Sequence, residues 1–198
     1  MQLSETAVLA DADLPVAAFR AHLRLGTGFA DAESQDEALA GFLRAAIGVI
    51  EARTGKALII RGFRLVLSGW RWADAQALPV APVVAVTSLT MRDGAGNAQP
   101  VDEARWRLVA DGERPRIVAR GAMLPAIPRG GRAEIDFDAG LAAGWAVLPG
   151  DLAQAVFLLA AQYYEARSGA QAGAIPEGVA ALIARWQPVR LSAGGVRP

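Results

Sequence analysis

The chain has 198 residues, 53% of them hydrophobic, and its 20 acidic side chains balance its 20 basic ones. That length and apolar content suit one domain, or one core carrying an inserted subdomain. The net charge of zero excludes a global field that would draw in nucleic acid or acidic membrane, and the lack of cysteine excludes disulfides, thiolate nucleophiles and cysteine-ligated metals.

Nineteen of the basic residues are arginine and one, Lys56, is lysine. Arginine suits bidentate contacts to carboxylates, including those at interfaces. No apolar run reaches about 18 residues, so no membrane span is expected. Glu5, Asp11 and Asp13 interrupt the N-terminal segment, which therefore does not read as a signal peptide. The absence of cysteine fits a reducing cytoplasm as the place of synthesis.

Residues 1–13 read as a short polar-interrupted lead. A first helix opens at Leu14-Pro15, with Pro15 near N1, shows Val16, Phe19 and Leu23 on one face, and ends near Gly26. A loop to Asp31 follows. A second helix is predicted over residues 34–54, with Ser34 as N-cap and Glu37 closing a capping box. Leu39, Phe42, Leu43, Ala46, Ile47 and Ile50 give it one apolar face. Gly55 supplies the left-handed residue that ends it, with Arg53 and Lys56 beside the negative end of its dipole.

From Ala57 the period changes to that of strands. Residues 58–67 read as an extended strand bent at Gly62, and Pro79 and Pro82 mark a loop. Residues 83–91 are β-branched, and Asp93-Gly94-Ala95-Gly96-Asn97 is a hairpin turn. Residues 106–109 and 116–119 are short strands. Over 133–138 the pattern alternates, with Ile135 and Phe137 on one side and Glu134, Asp136 and Asp138 on the other. Helix returns at Pro149-Gly150-Asp151, where Leu152, Val156, Leu159, Ala160 and Tyr163 line one face as far as Ser168-Gly169. A last short helix covers 176–186. The fold class is α+β: a mainly helical core of two N-terminal and two C-terminal helices, an inserted antiparallel β subdomain and a flexible C-terminal tail. In residue terms, 1–56 are the N-terminal helices, 57–140 the β-rich insert, 141–186 the C-terminal helices joined in one domain with 1–56, and 187–198 the tail.

The candidate chemistry is sparse. His22, between Arg20 and Arg24, is the single histidine, and no Gly-x-Ser-x-Gly elbow accompanies it, so the commonest hydrolase designs are missing. Glu134, Asp136 and Asp138 stand about 7 Å apart on one strand face. They could hold a divalent cation in a metal-dependent enzyme, or form the solvated face of an edge strand or a patch for another subunit's arginines. Gly94-Ala95-Gly96-Asn97 joins two strands instead of opening a helix, so it does not read as a phosphate loop. Trp70, Trp72 and Trp106, with Arg71 and Arg105, could stack on nucleobases, although core or interface packing is the commoner role of tryptophan. No catalytic, cofactor or metal residue is assigned. After Glu177 no acidic residue remains, while Arg185, Trp186, Val189, Arg190, Leu191, Val196 and Arg197 mix positive charge with apolar anchors. Such a segment reads either as a frayed terminus or as one that can order on a partner.

Several of these pieces, in this order, resemble one family. The run from Leu14 to Arg24, the helix begun by Asp36-Glu37-Ala38-Leu39, and the junction Glu51-Ala52-Arg53-Thr54-Gly55-Lys56-Ala57-Leu58-Ile59 are similar to segments of the phage head-to-tail adaptor (connector) proteins, in the group called phiE125 gp8-like. So are Pro79 to Leu89, Ile135 to Gly140, and Pro149 with Asp151 to Tyr164. That group includes the adaptor of alphaproteobacterial gene transfer agents. Arg53 stands where the group more often has tyrosine, and residues 121–132 and 187–198 have no clear counterpart. The resemblance implies a structural protein of a virion or gene-transfer particle at the head–tail junction. It implies a ring, usually of twelve copies, under the portal protein. The ring would extend the DNA channel without sequence-specific binding and meet a tail-side connector or stopper. No cofactor and no membrane are implied, and the C-terminal residues named above would contact the portal. A closed ring needs a heterologous interface; the helix face opposite the core and the edge of the β insert are expected to supply it.

Overall fold

A computed structural model describes residues 1–25, 32–166 and 175–188, with side chains from residue 35 onward in the second of these segments. Helix α1 (Val16–His22) starts after Pro15, whose ring fixes the backbone at φ −80° without a side-chain cap. Helix α2 (Ala32–Thr54) begins two residues earlier than the sequence suggests, so Ser34 lies inside its first turn. The Ser34 side chain, and with it the capping box, is outside the described residues. The other end of α2 follows expectation. Gly55 takes φ +67° and donates its N–H to the Glu51 carbonyl at 2.8 Å. The Thr54 hydroxyl donates to the Ile50 carbonyl at 2.9 Å.

Helices α3 (Gly150–Ala166) and α4 (Glu177–Ile183) complete the helical half, and a 3-10 turn, Ala184–Trp186, prolongs α4. Their apolar faces meet: Phe19 of α1, Leu39, Leu43 and Ile50 of α2, Leu152, Val156 and Leu159 of α3, and Val179 and Ile183 of α4 are buried in one cluster. The predicted end of α3 at Ser168-Gly169 falls outside the described residues.

The strands build two antiparallel sheets. In the larger, β1 (Gln2–Glu5), β2 (Arg61–Leu67), β8 (Arg132–Ala139), β4 (Val83–Arg92) and β5 (Ala98–Pro100) lie side by side in that order. In the smaller, β7 (Arg116–Ala119) lies between β3 (Ala75–Ala77) and β6 (Trp106–Val109). A second buried cluster joins them, with Phe63, Leu65, Leu89, Ile135 and Phe137 from the large sheet against Trp106 and Ile117 from the small one. With 37% helix and 27% strand, the mainly helical description is corrected: the β half has a core of its own.

Two further expectations change. Residues 1–13 are more than a lead, because β1 pairs antiparallel with β2, Leu3 opposite Leu65 and Glu5 opposite Phe63. Strand β8 is not an edge; it pairs with β2 on one side and β4 on the other. Ile135 and Phe137 are fully enclosed because Trp106 and Ile117 of the small sheet share the cluster on their face. Gly62 makes room for a neighbour: a Cβ there would lie 2.4 Å from the Thr6 hydroxyl. Gly140, at φ +154°, closes β8 where a Cβ would lie 2.4 Å from the Ile60 nitrogen.

Candidate functional site

Two of the three strand carboxylates, Glu134 and Asp136, are paired with arginines. Asp136 accepts a forked pair from Arg64, at 2.7 and 3.0 Å, and a bond from the Ser88 hydroxyl at 3.0 Å. The Arg64 guanidinium, then Ser88, hold its carboxyl below the usual range against a smaller opposing effect of burial. Glu134 lies 2.8 Å from Arg92 and 2.7 Å from Arg132. Burial raises its pKa, and these two guanidinium groups together outweigh it, leaving a lowered value. Among the described residues no group of three His, Cys, Asp or Glu could hold a metal ion. Two of the three carboxylates on this face of the central strand are thus held in ion pairs, and these are two of the three ligands that the metal-enzyme alternative needs.

The remaining candidates disperse. His22 is half-buried and packs 5.4 Å from the Phe157 ring. The Asp93–Asn97 turn is a hairpin between β4 and β5, in which the Asp93 carboxylate accepts from the backbone N–H of Ala95 and of Asn97, both at 2.9 Å. Trp106 sits in the β core; Trp70 packs on that core and donates to the Pro125 carbonyl at 2.7 Å. Trp72 is exposed beneath Arg71. Only one of the three indoles, Trp72, is exposed, so they do not together present the faces on which the nucleic-acid alternative depends.

The C-terminal residues are drawn together in part. Asp151, in the first turn of α3, accepts from the Trp186 indole N–H at 2.7 Å and pairs with the Arg185 Nε at 2.7 Å. Arg185 lies over the Trp186 ring at 4.8 Å. Burial raises the Asp151 pKa, but Trp186, Arg185 and the Leu152 N–H together hold it below the usual carboxylate range. A surface hollow of about 460 Å³ opens beside this clamp, lined by Gly150, Asp151, Ala181, Leu182, Ala184 and Arg185. Here the chain leaves α4 toward its end. Val189, Arg190, Leu191, Val196 and Arg197 lie outside the described residues.

Sequence reading missed two ties at the α2–β2 junction. Glu51 accepts the Leu58 N–H at 2.7 Å and two bonds from Arg61 at 2.8 and 2.6 Å, and Arg61 also donates to Glu5 at 2.8 Å. Burial alone would lower the Arg61 pKa; Glu51 and Glu5 more than reverse it. Lys56, buried, reaches the Gly112 carbonyl at 3.0 Å and pairs with Glu113. The sequence signal was a lone lysine beside an apolar run, but its partner is 57 residues away.

Comparisons with known proteins agree with this arrangement. No protein-family model and no curated protein sequence matches the chain. Solved structures do. A chain in the neck of an empty gene transfer agent (GTA) particle, computed with C6 symmetry, is 62% identical, with both chains covered over 100% of their length and a TM-score of 0.89. A chain in the virion of a native gene transfer agent particle is 61% identical over 98% of this chain and 99% of that one, with a TM-score of 0.86. A chain in the neck of a native GTA particle, computed with C12 symmetry, is 57% identical over 100% of both, with a TM-score of 0.84. The chain belongs to the family of gene transfer agent neck proteins. It is a structural protein, a head–tail connector located at the head–tail junction of the particle.

Proposed function

We propose that this chain forms a closed ring of twelve copies under the portal protein, extends the DNA channel and passes the load to a tail-side connector. The observation that carries this reading is full-length identity of 57–62% to chains in particle necks of C6 and C12 symmetry. Within the phage head-to-tail adaptors, the phiE125 gp8-like group remains the finer assignment, supported by the ordered motifs from Leu14 to Tyr164. The protein catalyses no reaction, and DNA passes without sequence-specific contact.

The portal contact is made by the chain end. Arg185 and Trp186 are fixed on Asp151, and Val189, Arg190, Leu191, Val196 and Arg197 follow as anchors. The clamp orients the exit; the residues after it bind. Four pieces, residues 1–56, 57–140, 141–186 and 187–198, divide this work, the first and third forming one domain. Electron microscopy of the protein mixed with its portal tests the reading. A ring seated on the portal supports it, and free protein beside bare portals rejects it. Removing residues 187–198 should leave the fold intact and weaken portal attachment; equal binding by the shortened chain would refute the docking role.

A further inference from the structure

The outer face of α2 has a feature that the fold of one chain does not use. Ala38, Gly41, Ala45, Gly48 and Ala52 are all exposed and recur at intervals of three and four residues. They lie opposite Leu39, Leu43, Ala46 and Ile50, which are fully buried. The run covers about 21 Å of helix at 1.5 Å per residue. Gly41 and Gly48 are interior helical glycines, a choice that disfavours helix relative to alanine. A Cβ at either would meet nothing within 4 Å, so no close approach within this chain requires them.

The C-terminal end of the same face, at Gly48 and Ala52, borders a mixed groove of about 400 Å³ between α2, β1 and the segment before the Pro82 loop. Gly48, Ala52, Leu3, Phe63 and Val80 line it, together with the charged Glu5, Glu51, Lys56 and Arg61, which the fold already engages with one another or with Glu113. Leu3 is 39% exposed although it belongs to a paired strand. The helix face thus offers a long surface without bulky side chains, and the groove at its end adds an exposed leucine.

We infer that this α2 face and its groove are the seat of the neighbouring copy in the ring. The inference rests on the ring reading above and names the surface that reading needs. Cyclic closure requires every copy to bury two different faces against its neighbours. The matched necks have cyclic symmetry. The portal contact is assigned to the end of the chain at the Asp151 clamp, leaving the length of α2 for lateral contact. Small side chains let a neighbouring backbone approach closely, which accounts for two glycines that cost this helix stability without return inside one chain.

Because the chain has no cysteine, a single introduced one reports the face without background. Ala45→Cys should react freely with a maleimide in the isolated chain and about ten-fold more slowly in assembled necks, the scale of a buried contact. Gly48→Leu, which improves helix propensity and meets open space, should melt no lower than the parent chain yet give about ten-fold fewer ring-bearing necks. Gly48→Ala should assemble better than Gly48→Leu. Equal labelling of Ala45→Cys in free and assembled chains overturns the inference, as does normal ring yield for Gly48→Leu or unfolding of the free Gly48→Leu chain. A parent neck lacking any ring of this chain would instead overturn the ring reading itself. A ring present with α2 fully labelled overturns only the seat.

Discussion

Asp136 shows how a residue that looks like a ligand becomes part of a scaffold. Alternation put its carboxylate outward, and Arg64 and Ser88 arrive from strands on either side of it. Its folded pKa is lowered, so it stabilises the fold above the unfolded value, roughly pH 4, and that contribution disappears as pH falls through the folded value. Asp136→Asn should therefore flatten the acid limb of the pH–stability curve. At neutral pH it should cost only about 0.5–1 kcal/mol, because Arg64 is 45% exposed. Glu51 is the costlier position. Arg61 is 9% exposed, and removing its Glu51 partner leaves Glu5 as its one remaining carboxylate, beside the Ile59 carbonyl. Glu51→Ala should destabilise by about 2–4 kcal/mol in a denaturant titration. A loss below about 0.5 kcal/mol, the level of an exposed pair, would show that the network is solvated.

At the scale of elements, the segment between α2 and β2 divides the two cores. Ala57 faces the β cluster while Leu58 and Ile59 enter the helical one. Lys56 then ties this segment to the loop before β7 through Gly112 and Glu113. The C-terminal clamp is a second tie between elements. Asp151→Ala removes the acceptor for Trp186 and Arg185, and should cost about 1–2 kcal/mol. Hydrogen exchange should rise over residues 177–187, with the β sheets unchanged. Unaltered protection of α4 would mean that apolar contacts of Val179 and Ile183 hold it alone. If the clamp aims the exit, portal attachment should weaken in this variant as well.

The whole molecule joins a helical half to a two-sheet half, each with a core, in a protein of particle necks. A connector of this kind gains its function from surfaces, and its Glu134 and Asp136 carboxylates are engaged in ion pairs. Magnesium, manganese or calcium should shift the melting temperature by less than about 1 °C, since structural binding would raise it through mass action. A clear stabilisation abolished by Asp136→Ala would revive a metal site. Deletion of residues 187–198 should likewise leave the melting transition in place while portal binding falls. Much of this design was legible in advance, because helical and strand periods, Gly55 and the Asp93 turn act locally. The small-residue face of α2 was visible only as the side opposite the core, and Glu5 gave no hint of its distant partner.

The sequence by itself determined the order and type of most elements, the C-terminal end of α2, the inward side of β8 and the resemblance to neck connectors. Each rests on interactions between residues a few positions apart, which periodicity records. Only the tertiary structure decided that β8 is central, that residues 2–5 are a strand, that the β half has its own core, and that Arg185 and Trp186 are held by Asp151. Those facts depend on pairings between residues 34 to 78 positions apart, where no local pattern can specify which arginine meets which carboxylate.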